Sequence, residues 1–314
     1  MRACAVCGSD LRTFKHGHYA VTLPHILGHE IAGEVVEVDA QDGFQIGDRV
    51  ALSPAVSCGR CLRCRSGHFN QCDHLLALGE DIPGGYAEYV AVPARLIDGG
   101  YLVHVPGELS FEAAALAEPL SCVLNGQELV QVSLDDTVAV IGLGAIGCMH
   151  VVVARLRGAR KVLAFDISSA RLEMARFFGA DVYASGETED PGEVVRRATN
   201  GNGVDVAVVA CGSGEAQKQA IGMAAKGGRI SFFGGLPQGD SPVSLDTNAI
   251  HYRELTVVGA FGTTPIQLQR AVNLIASGMM PVDRLVTHVF PLEEIARAFE
   301  VAASEESLRV IVTP

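Results

Sequence analysis

From Val138 onward the chain alternates short β-branched runs with amphipathic helical stretches, and that alternation admits one class of architecture. Val138 to Ile141 reads as a strand. Ile146, Met149, Val153 and Leu156 then share one helical face, and Val162 to Phe165 reads as the next strand. A helix from about Ser169 to Phe178 ends at Gly179, a strand runs from Val204 to Ala210, and a helix lies near Glu215 to Ala225. Strands follow at Arg229 to Phe233 and Leu255 to Gly259. Strands separated by helices must run parallel, so this half is expected to be a doubly wound α/β sheet. Thr264-Pro265 opens a further helix that Gly278 stops, Pro291 opens the last helix, and Leu308 to Val312 gives a final strand.

The N-terminal half has a different grammar. From Ile31 to about Leu120, short alternating runs such as Ile31 to Val38, Arg49 to Leu52 and Tyr86 to Val92 are broken by glycine and proline, which predicts a β-rich domain. At 314 residues the chain suits two domains. No fixed-period repeat or low-complexity segment interrupts them. A net charge of −12 argues against nucleic acid or an anionic membrane as partner. Charges also break every apolar run before it reaches spanning length.

Cys58, Cys61, Cys64 and Cys72 form a C-x2-C-x2-C-x7-C run. Four thiolates at this spacing can close a tetrahedron around Zn²⁺ with no open position, the arrangement of a structural site. Two disulfides are the alternative. The odd total of nine cysteines and the lack of a signal-peptide pattern over Met1 to Ser9 favour zinc and a cytoplasmic location.

Gly142, Gly144 and Gly147 form GxGxxG between the strand ending at Ile141 and the helix that carries Ile146, and Asp166 closes the next strand. The first glycine permits the tight turn, the second lets backbone approach a pyrophosphate, and the third lets helix and sheet pack closely. The helix N-terminus offers free N–H groups to the diphosphate. Asp166 is expected to accept both ribose hydroxyls and to repel a 2′-phosphate, favouring NAD over NADP. Ile146 and Arg171 complete the expected cofactor-binding set. A glycine-rich packing turn with a surface Asp is the plainer alternative.

Three further motifs bring mixed donors: Cys7-Gly8-Ser9-Asp10, Gly28-His29-Glu30 and Ala117-Glu118-Pro119-Leu120. Singly, each has a structural explanation. Together they supply a thiolate, an imidazole and two carboxylates, a set suited to zinc with an exchangeable fourth position.

With these motifs in order, and with Gly47-Asp48-Arg49-Val50, Phe290-Pro291-Leu292 and Val312-Thr313-Pro314 beside them, the whole chain resembles the zinc-dependent medium-chain dehydrogenases, in their polyol branch. The resemblance implies a GroES-like β-barrel catalytic domain over 1–120 with 264–314, and a Rossmann NAD-binding domain over 121–263. It implies two zinc ions per chain, the catalytic one on Cys7 and His29 with Glu30 or Glu118 as the third ligand. Ser9 is expected to pass a proton outward as a secondary hydroxyl of a polyol such as L-iditol or sorbitol is oxidised to a ketone with NAD. L-Threonine, oxidised at its 3-hydroxyl, and cyclitols or aminocyclitols of the 2-deoxy-scyllo-inosamine type are the neighbouring substrates. A non-catalytic NADH-binding redox sensor is the reading from another class. Candidate pocket residues are Phe14, His25, Glu118 and the Phe261 loop. A homodimer or homotetramer is expected through the edge strand near Leu255 to Gly259.

The sequence departs from the family pattern in places. Arg12 stands where many relatives carry a histidine that ends a proton relay, Asp39 replaces a usual glycine, and Ala260-Phe261-Gly262-Thr263 lacks an Arg-Tyr pair found in animal sorbitol dehydrogenases. Met1-Arg2-Ala3-Cys4 enters where the resemblance places the middle of a barrel strand, so coding sequence for the opening strands is expected upstream.

Overall fold

The computed structural model describes residues 1–39, 43–237 and 239–314. The chain divides into two compact units, Met1–Cys122 with Gly262–Pro314, and Val123–Phe261.

In the second unit six strands pair in parallel, in the spatial order Thr256–Gly259, Ala224–Phe232, Val204–Val209, Thr137–Ile141, Lys161–Asp166, Val182–Ser185. Numbered along the chain this is 6-5-4-1-2-3, a doubly wound sheet whose winding reverses between Thr137–Ile141 and Val204–Val209. Both of those strands are apolar almost throughout, as strands covered on two faces must be. Ile141, Leu163, Phe165 and Val209 pack there with Ala220 and Ile221 from a covering helix. The strand Val182–Ser185 and the helix Pro191–Ala198 escape the sequence reading. The strand is short and half-buried, and the helix has a narrow apolar face, although Asp190 caps it and Pro191 sits at its first turn.

The first unit is built on another six-stranded sheet, ordered Val286–Pro291, Arg309–Thr313, Ala3–Ala5, Glu30–Glu34, Arg49–Leu52, Leu102–His104. The first pair is parallel and the remaining pairs are antiparallel. Ala3–Ala5 therefore lies inside the sheet, with the C-terminal strand on one side and Glu30–Glu34 on the other. A groove of about 1160 Å³ runs along this sheet, lined by Met1, Val35, Phe44, Val50, Leu52 and Val90 among others.

Several elements differ from expectation. Tyr86 to Val92 is not a strand. Its start is held by Gly84, Gly85 and Tyr86 amides donating to Ile26, Gly28 and Leu27 carbonyls, outside any regular ladder. Pro291 ends a strand instead of opening the last helix, which follows a 3₁₀ turn and spans Ile295–Ala302. The helix expected near Glu215 to Ala225 stops at Met223, and Ala224 already belongs to the next strand. Glu118 sits in the first turn of a helix, Ala117–Leu129.

Candidate active site

Sheet register explains why distant motifs meet. Ala5 pairs with Glu30 and with Ile311, so Cys7, two residues past Ala5, emerges beside the start of the Glu30 strand and near Arg309. One ligand atom from each of Cys7, His29 and Glu30 lies within 4.8 Å of the others, close enough to hold one metal ion. Glu30 is fully buried, and neither carboxylate oxygen has a hydrogen-bond partner. Arg309 Nη1 is 3.2 Å from Glu30 Oε1 and donates to the Val6 carbonyl at 2.9 Å. A buried carboxylate without a hydrogen bond is costly, and a divalent cation shared with a thiolate and an imidazole relieves that cost, so the donor set fits zinc.

The charges around this cluster are strongly coupled. Burial raises the Glu30 carboxyl well above the ordinary range, against the pull of Arg309. For Cys7, burial acts upward, but the neighbouring His29 outweighs it and brings the thiol down to about 7. For His29, burial acts downward, but Asp10 and Cys7 prevail and hold the imidazole well above its usual value. Cys7 and His29 thus each favour the charged form of the other, and a cation bound between them would take over that role from the imidazole proton.

Asp10 is the functional residue that the sequence reading passes over. It is almost completely buried, its Oδ1 lies 3.2 Å from His29 Nδ1, and its Oδ2 accepts the Cys7 amide at 3.0 Å. The signal was present, because an acid three residues after an N-cap is a capping pattern and Cys7 caps the helix Gly8–His16. Arg309 had no comparable local signal.

Of the two candidate carboxylates, Glu30 joins Cys7 and His29, while Glu118 lies outside that group. Glu118 is buried, its Oε1 accepts from Cys122 Sγ at 3.5 Å, and burial raises its carboxyl to about 7. His29 and Glu30 both act on it electrostatically, so it belongs to the same neighbourhood. Ser9 is half-buried in the first turn of its helix, and Arg12 on the next turn is exposed. Phe14 is largely exposed and stacks edge-on against Phe299, and His25 has a buried Nε2 without a partner. Asp39 is exposed beside the groove.

The four-cysteine lobe is built from short turns, a helical turn at Leu62–Arg65 and a 3₁₀ turn at Phe69–Gln71. Its sulfurs are 3.5 to 4.0 Å apart for the Cys61–Cys64, Cys61–Cys72 and Cys58–Cys64 pairs. Zn–S bonds of about 2.3 Å in a tetrahedron place sulfurs about 3.8 Å apart, whereas a disulfide needs about 2.05 Å. Amides of Cys58, Cys61, Cys64 and His74 donate to these sulfurs. Backbone donors, the Arg60 amide foremost, lower the Cys58 thiol to about 6. The geometry therefore fits zinc, and no disulfide joins these four cysteines.

In the second unit the glycine turn lies at the reversal of winding. A Cβ on Gly147 would fall 1.8 Å from the Gly142 carbonyl oxygen, and one on Gly142 would fall 2.8 Å from Cys211 Cβ. A Cβ on Gly144 would meet open space, which leaves room for a ligand over the helix N-terminus. Asp166 is buried, and its oxygens accept the Leu143 amide at 2.6 Å and the Ser168 amide at 2.9 Å. It thereby ties the turn to the neighbouring strand while each oxygen keeps a lone pair able to accept another donor. Ile146 is half-buried on the fingerprint helix. Arg171, on the helix capped by Ser168, is half-buried with an Nε that has no hydrogen-bond partner.

Residues 1–104 match the alcohol dehydrogenase GroES-like domain, and residues 145–277 match the zinc-binding dehydrogenase family. The chain is 33% identical to sorbitol dehydrogenase of Bacillus subtilis, covering 99% of this chain and 88% of that protein. It is 35% identical to L-threonine 3-dehydrogenase of Bacillus licheniformis, covering 100% of this chain and 90% of that protein. A zinc-binding dehydrogenase from Sinorhizobium meliloti, solved bound to NADP, superposes with a TM-score of 0.91 at 35% identity over 100% of this chain and 90% of that one. Fold, metal clusters and sequence agree: the chain belongs to the zinc-dependent medium-chain alcohol dehydrogenases, enzymes that use a nicotinamide cofactor.

Proposed function

We propose that this enzyme oxidises a secondary hydroxyl of a polyol, of the L-iditol or sorbitol type, to a ketone with NAD. The observation that carries the reading is the buried carboxylate of Glu30, without a hydrogen bond, gathered with Cys7 and His29. Cys7, His29 and Glu30 would hold the zinc, which would supply Lewis acidity to lower the pKa of a substrate hydroxyl, and a bound nicotinamide would supply the hydride acceptor. The hydroxyl proton leaves through the protein, so that alcohol and NAD become ketone, NADH and a proton. Glu118, with a carboxyl raised to about 7, can hold or release that proton near neutral pH. Ser9, half-buried two residues after Cys7, passes it outward, and the exposed Arg12 leaves the outer step to water.

Gly142, Gly144 and Gly147 with Ile146 would hold the diphosphate, Asp166 would accept the ribose hydroxyls, and Arg171, on the helix capped by Ser168, would serve the adenosine end. A 2′-phosphate would meet the Asp166 carboxylate, which supports NAD even though a relative binds NADP. L-Threonine is the second reading, supported by a relative of that name at 35% identity against 33% for the sorbitol enzyme. Nine cysteines with no disulfide among the described residues support a cytoplasmic location. No helix among the described residues is long and apolar enough to cross a membrane. The edge strand Thr256–Gly259 is the surface we assign to pairing between subunits.

The test is reduced-cofactor formation by the zinc-loaded protein across sorbitol, L-iditol, xylitol, L-threonine, myo-inositol and an aminocyclitol, each with NAD and with NADP. Preferential turnover of an open-chain polyol with NAD is expected. Preference for L-threonine or an aminocyclitol would move the assignment to that substrate, and preference for NADP would overturn the role given to Asp166.

A further inference from the structure

Behind the metal cluster lies a second layer that the proposed chemistry does not use. Gly84, Gly85 and Tyr86 donate backbone N–H groups to the Ile26, Gly28 and Leu27 carbonyls, so the Tyr86 segment runs against the approach to His29. The ring packs so tightly there that a Cβ on Gly28 would lie 3.0 Å from it. Phe299 meets the same ring edge-on, with centroids 5.5 Å apart. The hydroxyl of the half-buried Tyr86 ends 2.8 Å from Asp10 Oδ2 and 3.3 Å from the Ala5 carbonyl oxygen. Asp10 Oδ1 in turn lies 3.2 Å from His29 Nδ1.

We propose that Tyr86 is a positioning residue of the metal centre, acting through Asp10 to fix the tautomer and orientation of His29. This rests on the reading that Cys7, His29 and Glu30 hold the catalytic zinc. A carboxylate that accepts Nδ1–H leaves the other ring nitrogen, Nε2, as the lone-pair donor to a metal. Asp10 can serve in that way only while its own plane is fixed. The Cys7 amide and the Tyr86 hydroxyl both donate to Oδ2 and supply two anchors, one on the metal-bearing turn and one from a different loop. Without the phenol hydroxyl, Asp10 keeps one anchor and gains freedom to rotate, and the imidazole rotates with it.

Tyr86→Phe keeps the ring and its packing and removes the hydroxyl alone. We would titrate the metal-free protein with Zn²⁺ against a chelator, record Co²⁺ absorption, and repeat both in Tyr86→Phe, Asp10→Asn and the double variant. The expected result is about a 10- to 100-fold weaker mixed-ligand site in Tyr86→Phe, the usual range for loss of an outer-sphere partner. The four-cysteine site should keep its affinity, which controls for general unfolding, and the cobalt ligand-field bands should shift. Adding Tyr86→Phe to Asp10→Asn should change affinity less than about twofold, because the route through Asp10 is already cut. Wild-type affinity and an unshifted cobalt spectrum in Tyr86→Phe, or an equal loss in the Asp10→Asn background, would overturn the assignment of Tyr86 alone. A wild-type protein that takes up a single metal ion would overturn this proposal together with the catalytic-metal reading.

Discussion

The two groups of residues able to hold a metal ion are built in opposite ways. The four-cysteine lobe uses one ligand type within fifteen consecutive positions, Cys58 to Cys72, and local turns and backbone N–H donors set its geometry. The Cys7, His29 and Glu30 cluster mixes three ligand types and depends on sheet register, with Arg309 brought from the far end of the chain. A uniform, closed set of thiolates binds metal and leaves no position for substrate. A mixed set with fewer ligands leaves room, and it needs neighbours such as Asp10 and Arg309 to manage its charge. Separation of binding from chemistry thus follows from which contacts are local.

Removing one thiolate from each cluster should expose this difference most sharply. Cys7→Ser should lower kcat/KM by about 10³-fold or more while the folded protein keeps one zinc, since several kcal/mol of transition-state stabilisation come through that site. Cys61→Ser should lose the other zinc and melt at lower temperature, with a smaller effect on turnover per folded molecule. Metal analysis and activity on the same preparations check both outcomes. Loss of both metals from either variant would show that the clusters are not independent.

The same substitution should also read differently in the two places. Gly28 and Gly59 both adopt positive φ, +93° and +67°. A Cβ at Gly59 would meet nothing within 4 Å, so Gly59→Ala should cost only the backbone strain, about 1 to 2 kcal/mol. At Gly28 a Cβ would lie 2.9 Å from Cys4 Sγ as well as 3.0 Å from Tyr86, both in a packed interior. Gly28→Ala should therefore cost about 3 kcal/mol or more and weaken the mixed-ligand metal site. Chemical denaturation of the two variants gives the contrast, and equal losses would mean that the space around Gly28 yields.

This locality also governs what could be read from sequence. The cysteine lobe, the glycine turn and Asp166 are legible because each feature lies within a short window whose spacing carries its own geometry. Cys7, His29, Glu30 and Glu118 are legible in sequence only as a set of donor types drawn together by family resemblance, and it is the pairing of Ala5 with Glu30 that brings Glu30, not Glu118, beside Cys7 and His29. Tyr86 read as part of a strand because alternation over Tyr86 to Val92 mimics one, whereas two glycines before it direct its amides to the Leu27 region. Arg309 lay in a predicted strand with no hint of a role, because an arginine paired across the sheet leaves no pattern in its own neighbourhood.

Burial acts on His29 and His150 alike, and only one of them has a counter-charge. His29 has Asp10 beside it, which pushes its pKa upward against burial, whereas burial alone drives His150 down to about 3. His150 is fully buried, edge-on to Phe233, with Nδ1 3.3 Å from Gln127 Nε2 and an Nε2 that has no partner. Between its ordinary value of 6.5 and about 3, the unfolded chain binds a proton at this residue that the folded chain refuses. Stability must then fall as pH drops through that window, level off below it, and be unaffected by His150 above it. At pH 5, which is 1.5 units below 6.5, the loss is about 2 kcal/mol. His150→Leu should remove that share of the acid sensitivity. Its cost at neutral pH should be small, because Gln127 Nε2 keeps its 2.7 Å bond to the backbone carbonyl at position 150. Urea unfolding of both proteins at about pH 5 and about pH 7.5 isolates the effect: the wild type should lose about 2 kcal/mol more than the variant between the two conditions. Equal losses would mean that the folded protein protonates His150 as readily as the unfolded chain does, and that burial without a counter-charge does not separate it from His29.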